Sequence, residues 1–316
     1  MRRTGLLYDD RFLLHQTGPG HPECPERLVV IHKAMEEAHL LEDLVPIPAS
    51  PAKIKWIEKV HSPRHVFKVE EASLLDLGEL DTADNQLSPE TFDTAVLAIG
   101  GILNGVDLIM KGEIDNAFCA VRPPGHHAEP NRGLGFCFFN NVAVAAKYLQ
   151  IEWRVQRVAI IDIDVHHGNG TQRIFEEDPD VLYCSIHEHP SFSFPGSGRE
   201  FEKGSGPGYG FTINCPVLPG QGDDEYRKKF ERTLLPAVDD FRPEVVLISA
   251  GFDAHSDDDM SDIRLSTDHY SWMTRQILEV ADRHSGGRLI SVLEGGYCLQ
   301  ILPELVVNHV RILLDR

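Results

Sequence analysis

Five short apolar runs, alternating with longer stretches of helical periodicity, limit what this chain can become. Asn116–Val121, Val158–Ile163, Val181–Ile186, Val245–Ala250 and Leu289–Leu293 read as strands. Pro25–His39, Pro89–Met110, Asn141–Leu149, Glu225–Phe241, Thr267–Arg283 and Pro303–Leu314 read as helices. Ser88 and Pro89 are expected to open the second helix as cap and first helical residue. Strands that alternate with helices imply a parallel sheet, because a parallel pair needs a long crossover connection. The fold class expected is therefore α/β: a single-domain, open, mostly parallel sheet with helices on both faces, spanning residues 1–316. Neither a repeat nor a Pro/Ser-rich linker divides the chain, and 316 residues suffice for one large core.

In such a sheet the carboxyl ends of the strands share one edge, and ligands bind in the crevice beside it. Four of the runs lead straight into groups able to do chemistry. The first precedes Arg122-Pro-Pro-Gly-His126-His127. The second holds Asp162 and continues through Asp164, His166, His167 and Asn169. The fourth precedes Gly251-Phe252-Asp253, and the fifth precedes Glu294-Gly-Gly-Tyr297. Asp164 and His166 alternate along an extended chain, so they point the same way. With Asp253 they form a nitrogen-and-oxygen donor set with open positions. That set suits catalytic zinc, with iron, cobalt or manganese chemically allowed. His126 and His127 follow a rigid Pro-Pro and suit acid–base work near neutral pH. Tyr297, on a Gly-Gly turn, can aim its hydroxyl at a substrate carbonyl. His32, His39 and His284 read as ordinary packing residues. The glycine-rich stretch Gly196–Gly210 reads as a surface loop, since no phosphate-loop pattern accompanies it.

Composition narrows the partners. With 30 basic and 49 acidic residues the formal charge is −19, which repels nucleic acid and suits a cationic peptide or polyamine. The N-terminus shows no signal-peptide pattern, and no apolar run is read as approaching the ~20 residues that span a bilayer. The six cysteines are scattered without a CxxC pair, so neither disulfides nor a thiolate metal site is expected. These features together suggest a cytoplasmic protein with no membrane partner, its oligomeric state left open.

The segments RPPGHH, GFCFFNN, DIDVHHGNGT, SAGFD and LEGGY, in that order, resemble the zinc-dependent histone deacetylase family, closest in wording to its class II branch. That group includes bacterial deacetylase-like amidohydrolases and acetylpolyamine amidohydrolases. The resemblance runs from about Tyr8 to the last helix and implies an arginase-like open sheet with one Zn²⁺ per site. It makes Asp164, His166 and Asp253 the zinc ligands, His126 and His127 the acid–base pair, and Tyr297 the catalytic tyrosine. Asp162 would hold His126, and Asn169, where some relatives use Asp, would hold His127. The resemblance puts Gly135, Phe136 and Phe194 in the wall of an acyl-lysine tunnel, with the apolar Met260 at its gate. Asp257, Asp258 and Asp259 stand beside Met260, and an acid at the gate would favour a polyamine instead. It further implies a structural K⁺ at Asp162, Asp164, His166, Ser185 and Ile186, a rim Asp at Asp84 with Asp81 as competitor, and Arg27 on an internal channel.

The reading is a zinc-dependent amidohydrolase that frees the ε-amine of an acylated lysine peptide, with a small acylated amine such as an acetylpolyamine as the alternative substrate. A non-catalytic acyl-lysine binder is expected to lack a ligand or the tyrosine, and this chain keeps all of them. A scaffold subunit is expected to carry interaction tails that the sequence does not display.

Overall fold

The structure is a computed structural model and describes residues 2–315. Its strands are β1 (Thr4–Leu7), β2 (Val45–Pro46), β3 (Glu79–Leu80), β4 (Thr82–Gln86), β5 (Asn116–Cys119), β6 (Val158–Asp162), β7 (Val181–Glu188), β8 (Thr212–Val217), β9 (Val245–Ala250) and β10 (Leu289–Leu293). Eight of them form one sheet in the order β2-β1-β5-β10-β9-β6-β7-β8, and every neighbouring pair is parallel. β3 and β4 make a separate antiparallel hairpin.

The five runs named from the sequence are the five central strands. All residues of β5, β6, β7, β9 and β10 are buried, as a sheet covered on both faces requires. Helices Thr91–Met110 and Asn141–Glu152 pack together, while Glu26–Glu37, Thr267–Ser285 and Leu302–Leu313 form a second group. β5 and β9 each touch a helix of both groups, so the two groups cover opposite faces.

Three departures from the sequence reading have physical causes. Helix Thr91–Met110 starts beyond Ser88 and Pro89, with no side-chain cap. Ser88 instead donates its backbone N–H to Thr91 Oγ1 at 2.8 Å. The Ser-Pro opening stands at helix Pro63–Leu74, where the Ser62 hydroxyl accepts from the His65 N–H. The segment around 223–241 is broken by a π turn over Phe230–Leu234, just ahead of Pro236. Proline has no N–H to donate to the preceding turn, and the wider π turn accommodates that loss. Lastly, Thr91–Met110 is by length and composition apolar enough to cross a membrane, contrary to the expectation that no such stretch exists. Most of it is buried inside the protein, against β1 and β5.

Candidate active site

The central order β5-β10-β9-β6 brings four strand ends side by side, and each continues into one of the polar segments. Asp164 and His166 follow β6, Asp253 follows β9, Tyr297 follows β10, and His126 and His127 follow β5.

Asp164, His166 and Asp253 are buried and offer donor atoms that all lie within 4.8 Å of one another. His166 Nδ1 lies 3.2 Å from Asp164 Oδ1 and 3.1 Å from Asp253 Oδ2. A tetrahedral ion with bonds of about 2.0–2.2 Å holds its ligand atoms roughly 3.3–3.6 Å apart, so these donors already stand near that spacing. Backbone N–H groups fix the carboxylates. Gly295 donates to Asp164 Oδ2 at 2.8 Å, and Val165 donates to Asp253 Oδ1 at 2.9 Å. Gly295 tolerates no side chain, since a Cβ there would press on both carboxylates. Burial, with Asp164 beside it, pushes the Asp253 pKa up. Two buried carboxylates about one imidazole therefore call for positive charge, and the donor chemistry fits a divalent cation such as zinc.

The two histidines differ in environment. His126 Nδ1 lies 3.0 Å from Asp162 Oδ2, which also accepts from the Tyr183 hydroxyl at 3.0 Å. His127 Nδ1 lies 2.8 Å from Asn169 Oδ1. Asn169 Nδ2 donates to Glu129 Oε1 at 2.8 Å, and a carboxylate cannot donate back, so the Asn169 oxygen must face His127. His127 Nδ1 consequently carries the proton, leaving Nε2 with a lone pair. Burial opposes charge on His126, but Asp162 and Asp164 outweigh it and raise the pKa to about 10. Burial, then His126 and His166, drive His127 well below its usual value. The carboxylates beside His126 thus favour its charged form, while burial and two neighbouring imidazoles favour the neutral form of His127, whose ring centroid lies 4.0 Å from that of His126.

A cavity of about 220 Å³ lies over these groups, lined by Asp84, His127, Gly135, Phe136, His166, Phe194, Met260 and Tyr297. The structure therefore brings together every expected wall and rim residue. Phe194 meets His127 edge-on at 5.0 Å, and Phe136 meets Tyr297 at 5.8 Å. Gly135, at φ +54°, leaves room that a Cβ would take from His127 and Phe194. Asp84 is exposed on β4, with its carbonyl accepting from His21. Its competitor Asp81 is committed elsewhere, to an ion pair with Lys68 and to the Gly133 N–H. In the acidic run, Asp257 and Asp259 are exposed and Asp258 is buried, and none of the three lines the cavity. A larger hollow of about 580 Å³ shares Tyr297 but holds none of the donor residues.

Asp162 and Ser185 are register partners on β6 and β7, so the five residues expected around K⁺, all buried, lie along the end of β6 with the segment after it and the middle of β7. Ser185 Oγ is 2.7 Å from His187 Nδ1. Arg27 is fully buried, and its guanidinium lies 5.0 Å from the Tyr297 ring centroid. It donates to Glu23 and to the carbonyls of Gly296 and Glu294, and it lines neither hollow around Tyr297. The sequence reading did not assign roles to Glu23 or Glu294, and it considered Asp258 only as one of three acids beside the gate. Glu294 Oε2 accepts from the N–H groups of Gly125 and His126 at 2.6 and 3.2 Å, and so holds the histidine segment. Its position after a strand marked it, but a carboxylate that grips backbone leaves no pattern in sequence.

An open parallel α/β sheet with this carboxyl-edge crevice has the arginase/deacetylase-like fold. Residues 21–313 match the histone deacetylase domain. A probable deacetylase of Archaeoglobus fulgidus is 37% identical over 299 residues, covering 94% of this chain and 82% of that protein. The histone deacetylase-like amidohydrolase of Pseudomonas aeruginosa is 36% identical, covering 96% and 83%. The polyamine deacetylase HDAC10 of Mus musculus is 39% identical, covering 99% of this chain and 47% of its own length. The crystal structure of the HDA15 HD domain superposes with a TM-score of 0.95 at 36% identity, covering 100% of this chain and 89% of that one. The chain belongs to the histone deacetylase family of hydrolases.

Proposed function

We propose that the chain is a zinc-dependent deacetylase that removes acetyl or other short acyl groups from the lysine ε-amine, working in a reducing cytoplasm. The observation that carries this reading is the convergence of His127, His166 and Tyr297 on one apolar cavity, with Asp164 and Asp253 buried beside His166.

Asp164, His166 and Asp253 would hold the zinc, which when bound would supply Lewis acidity toward a water molecule and an acyl carbonyl. The chain's own residues do the rest. Phe136 and Phe194 hold the lysine stem and exclude water. His127 Nε2, with its lone pair, takes the proton from water and returns it to the departing amine. Such a transfer contributes roughly 100- to 10,000-fold. His126, oriented by Asp162 through Nδ1, lies beside His127 and favours negative charge arising nearby. The Tyr297 hydroxyl has no hydrogen-bond partner among the described residues and is free to donate to the carbonyl oxygen as charge develops there. Asp84 accepts from the substrate backbone at the rim. Ser185 and Ile186, together with Asp162, Asp164 and His166, would hold a structural K⁺.

Met260 in the cavity wall favours an acyl-lysine substrate over an acetylpolyamine, whose second ammonium needs an acid there. The relative named as a polyamine deacetylase supports acetylpolyamine as the second reading. The test is turnover of an acetyl-lysine peptide and of acetylputrescine by zinc-loaded protein, with and without a hydroxamate chelator. Faster, chelator-sensitive release from the peptide is expected. Faster release from acetylputrescine would overturn the substrate assignment, and no turnover of either would overturn the deacetylase reading.

A further inference from the structure

The chemistry described above leaves Asp258 unused, yet this carboxylate is only 4% exposed. It sits in the loop after β9, between the donor Asp253 and the wall residue Met260. Its Oδ2 accepts from the Tyr297 N–H at 2.6 Å and from the Cys298 N–H at 2.9 Å. Its Oδ1 accepts from the Met260 N–H at 3.1 Å. One carboxylate therefore fastens two loops that leave neighbouring strands.

Tyr297 needs such a fastening. It follows Gly295 and Gly296, and Gly296 has φ +116°, an angle glycine holds without cost and without rigidity. The tyrosine hydroxyl has no partner of its own among the described residues, so its position depends on ring packing and backbone. Phe136 and Arg27 contact the ring, and Arg27 Nε donates to the Gly296 carbonyl at 2.7 Å. The N–H side of that turn is held by Asp258. We propose that Asp258 is a positioning residue that sets the Tyr297 hydroxyl and the Met260 wall in register across the cavity. The acidic run Asp257–Asp259 is thus divided: two members face solvent, and the middle one acts on the reaction through tyrosine.

This inference rests on the deacetylase reading, and a double-mutant cycle separates the two. Turnover of an acetyl-lysine peptide, normalised to bound zinc, is measured for wild type, Asp258→Asn, Tyr297→Phe and the double variant. An asparagine offers one acceptor oxygen and no charge, so it cannot keep all three bonds. What Asp258 does through Tyr297 is capped by the loss of the hydroxyl itself, ~100- to 1,000-fold. Asp258→Asn is therefore expected to lower kcat ~10- to 100-fold with KM nearly unchanged, and to add little once Tyr297 is Phe. An equal kcat loss in both backgrounds, or none in the wild-type background, overturns the proposal. Should the asparagine variant fail to fold, Asp258→Ser, which leaves space for water to meet the N–H groups, completes the same cycle. Full turnover by Tyr297→Phe alone removes Tyr297 from the chemistry and overturns this proposal, whereas no turnover by the wild type overturns the deacetylase reading itself.

Discussion

Replacing Glu23 by Ala removes the carboxylate from a fully buried cluster of Glu23, Arg27, Arg122 and His15. Glu23 accepts from Arg122 Nε, from Arg122 Nη2 at 2.7 Å and from Arg27 Nη1 at 3.1 Å, with His15 Nε2 3.4 Å away. Burial by itself would raise the Glu23 pKa, but Arg122 and His15 outweigh it and hold the group well below its usual range. The alanine variant leaves two guanidiniums in the interior without their counter-charge. They keep only carbonyl partners, those of Phe12, His15 and Glu23 for Arg122 and those of Gly296 and Glu294 for Arg27. Breaking a buried pair from one side costs about 3–5 kcal/mol. With an unfolding entropy near 2.1 cal/mol/K per residue, that is a fall in Tm of roughly 5–8 °C for a chain of this length. Glu23→Gln should fare little better, because its amide hydrogens face a guanidinium. Calorimetry at pH 7 checks both variants. The reasoning fails if both melt within about 1 °C of wild type, for the cluster would then contribute nothing beyond its volume.

Three further outcomes are expected. Tyr297→Phe should lower kcat on an acetyl-lysine peptide ~100- to 1,000-fold while leaving bound zinc unchanged, and a variant with normal turnover would remove Tyr297 from the chemistry. Gly295→Ala should weaken metal binding ~10- to 100-fold, because its methyl presses on the Asp164 and Asp253 carboxylates; one retained zinc per chain after dialysis, by elemental analysis, would contradict this. His309 is held down to about 3 by burial, between Thr274 and Ser291. Its unfolded value is about 6.5, so its contribution is complete above that pH and is lost as pH falls from 6.5 toward 3. Between pH 7 and 4.5 this is worth roughly 2–3 kcal/mol, and His309→Gln should flatten the urea-unfolding dependence by that amount; an unchanged slope would exclude the assignment.

The sheet's centre was legible in the sequence and its edges were not. β5, β6, β7, β9 and β10 are buried on both faces and must be apolar almost throughout, which produces visible runs. β2 and β8 are the outermost strands and carry Pro46 and Pro216. Proline is tolerated there because an edge strand has N–H groups with no ladder partner, and the same residue disguises the strand. β1 pairs on both sides, but Thr4–Leu7 is four residues long with a glycine in it, too short to register as a run.

The same division runs through the site. Asp164, His166, Asp253, His126, His127 and Tyr297 could be named in advance, because the proposed chemistry restricts each position to very few side chains, and strand ends say where those side chains meet. Glu23, Glu294 and Asp258 could not. Each is a carboxylate whose work is to accept from guanidinium or backbone N–H groups, and those partners come from distant segments. Asp258 stands 39 residues from Tyr297 in the chain, and nothing in the run Asp257–Asp259 distinguishes the middle residue from its neighbours. Only burial does, and burial is a property of the assembled loops. Asp81 and Asp84 make the same point from the other direction: two acids three residues apart are equivalent as sequence, until Lys68 and the Gly133 N–H claim one of them and leave the other at the cavity. Residues that carry chemistry are thus specified by their own side chains, whereas residues that hold chemistry in place are specified by whatever they hold.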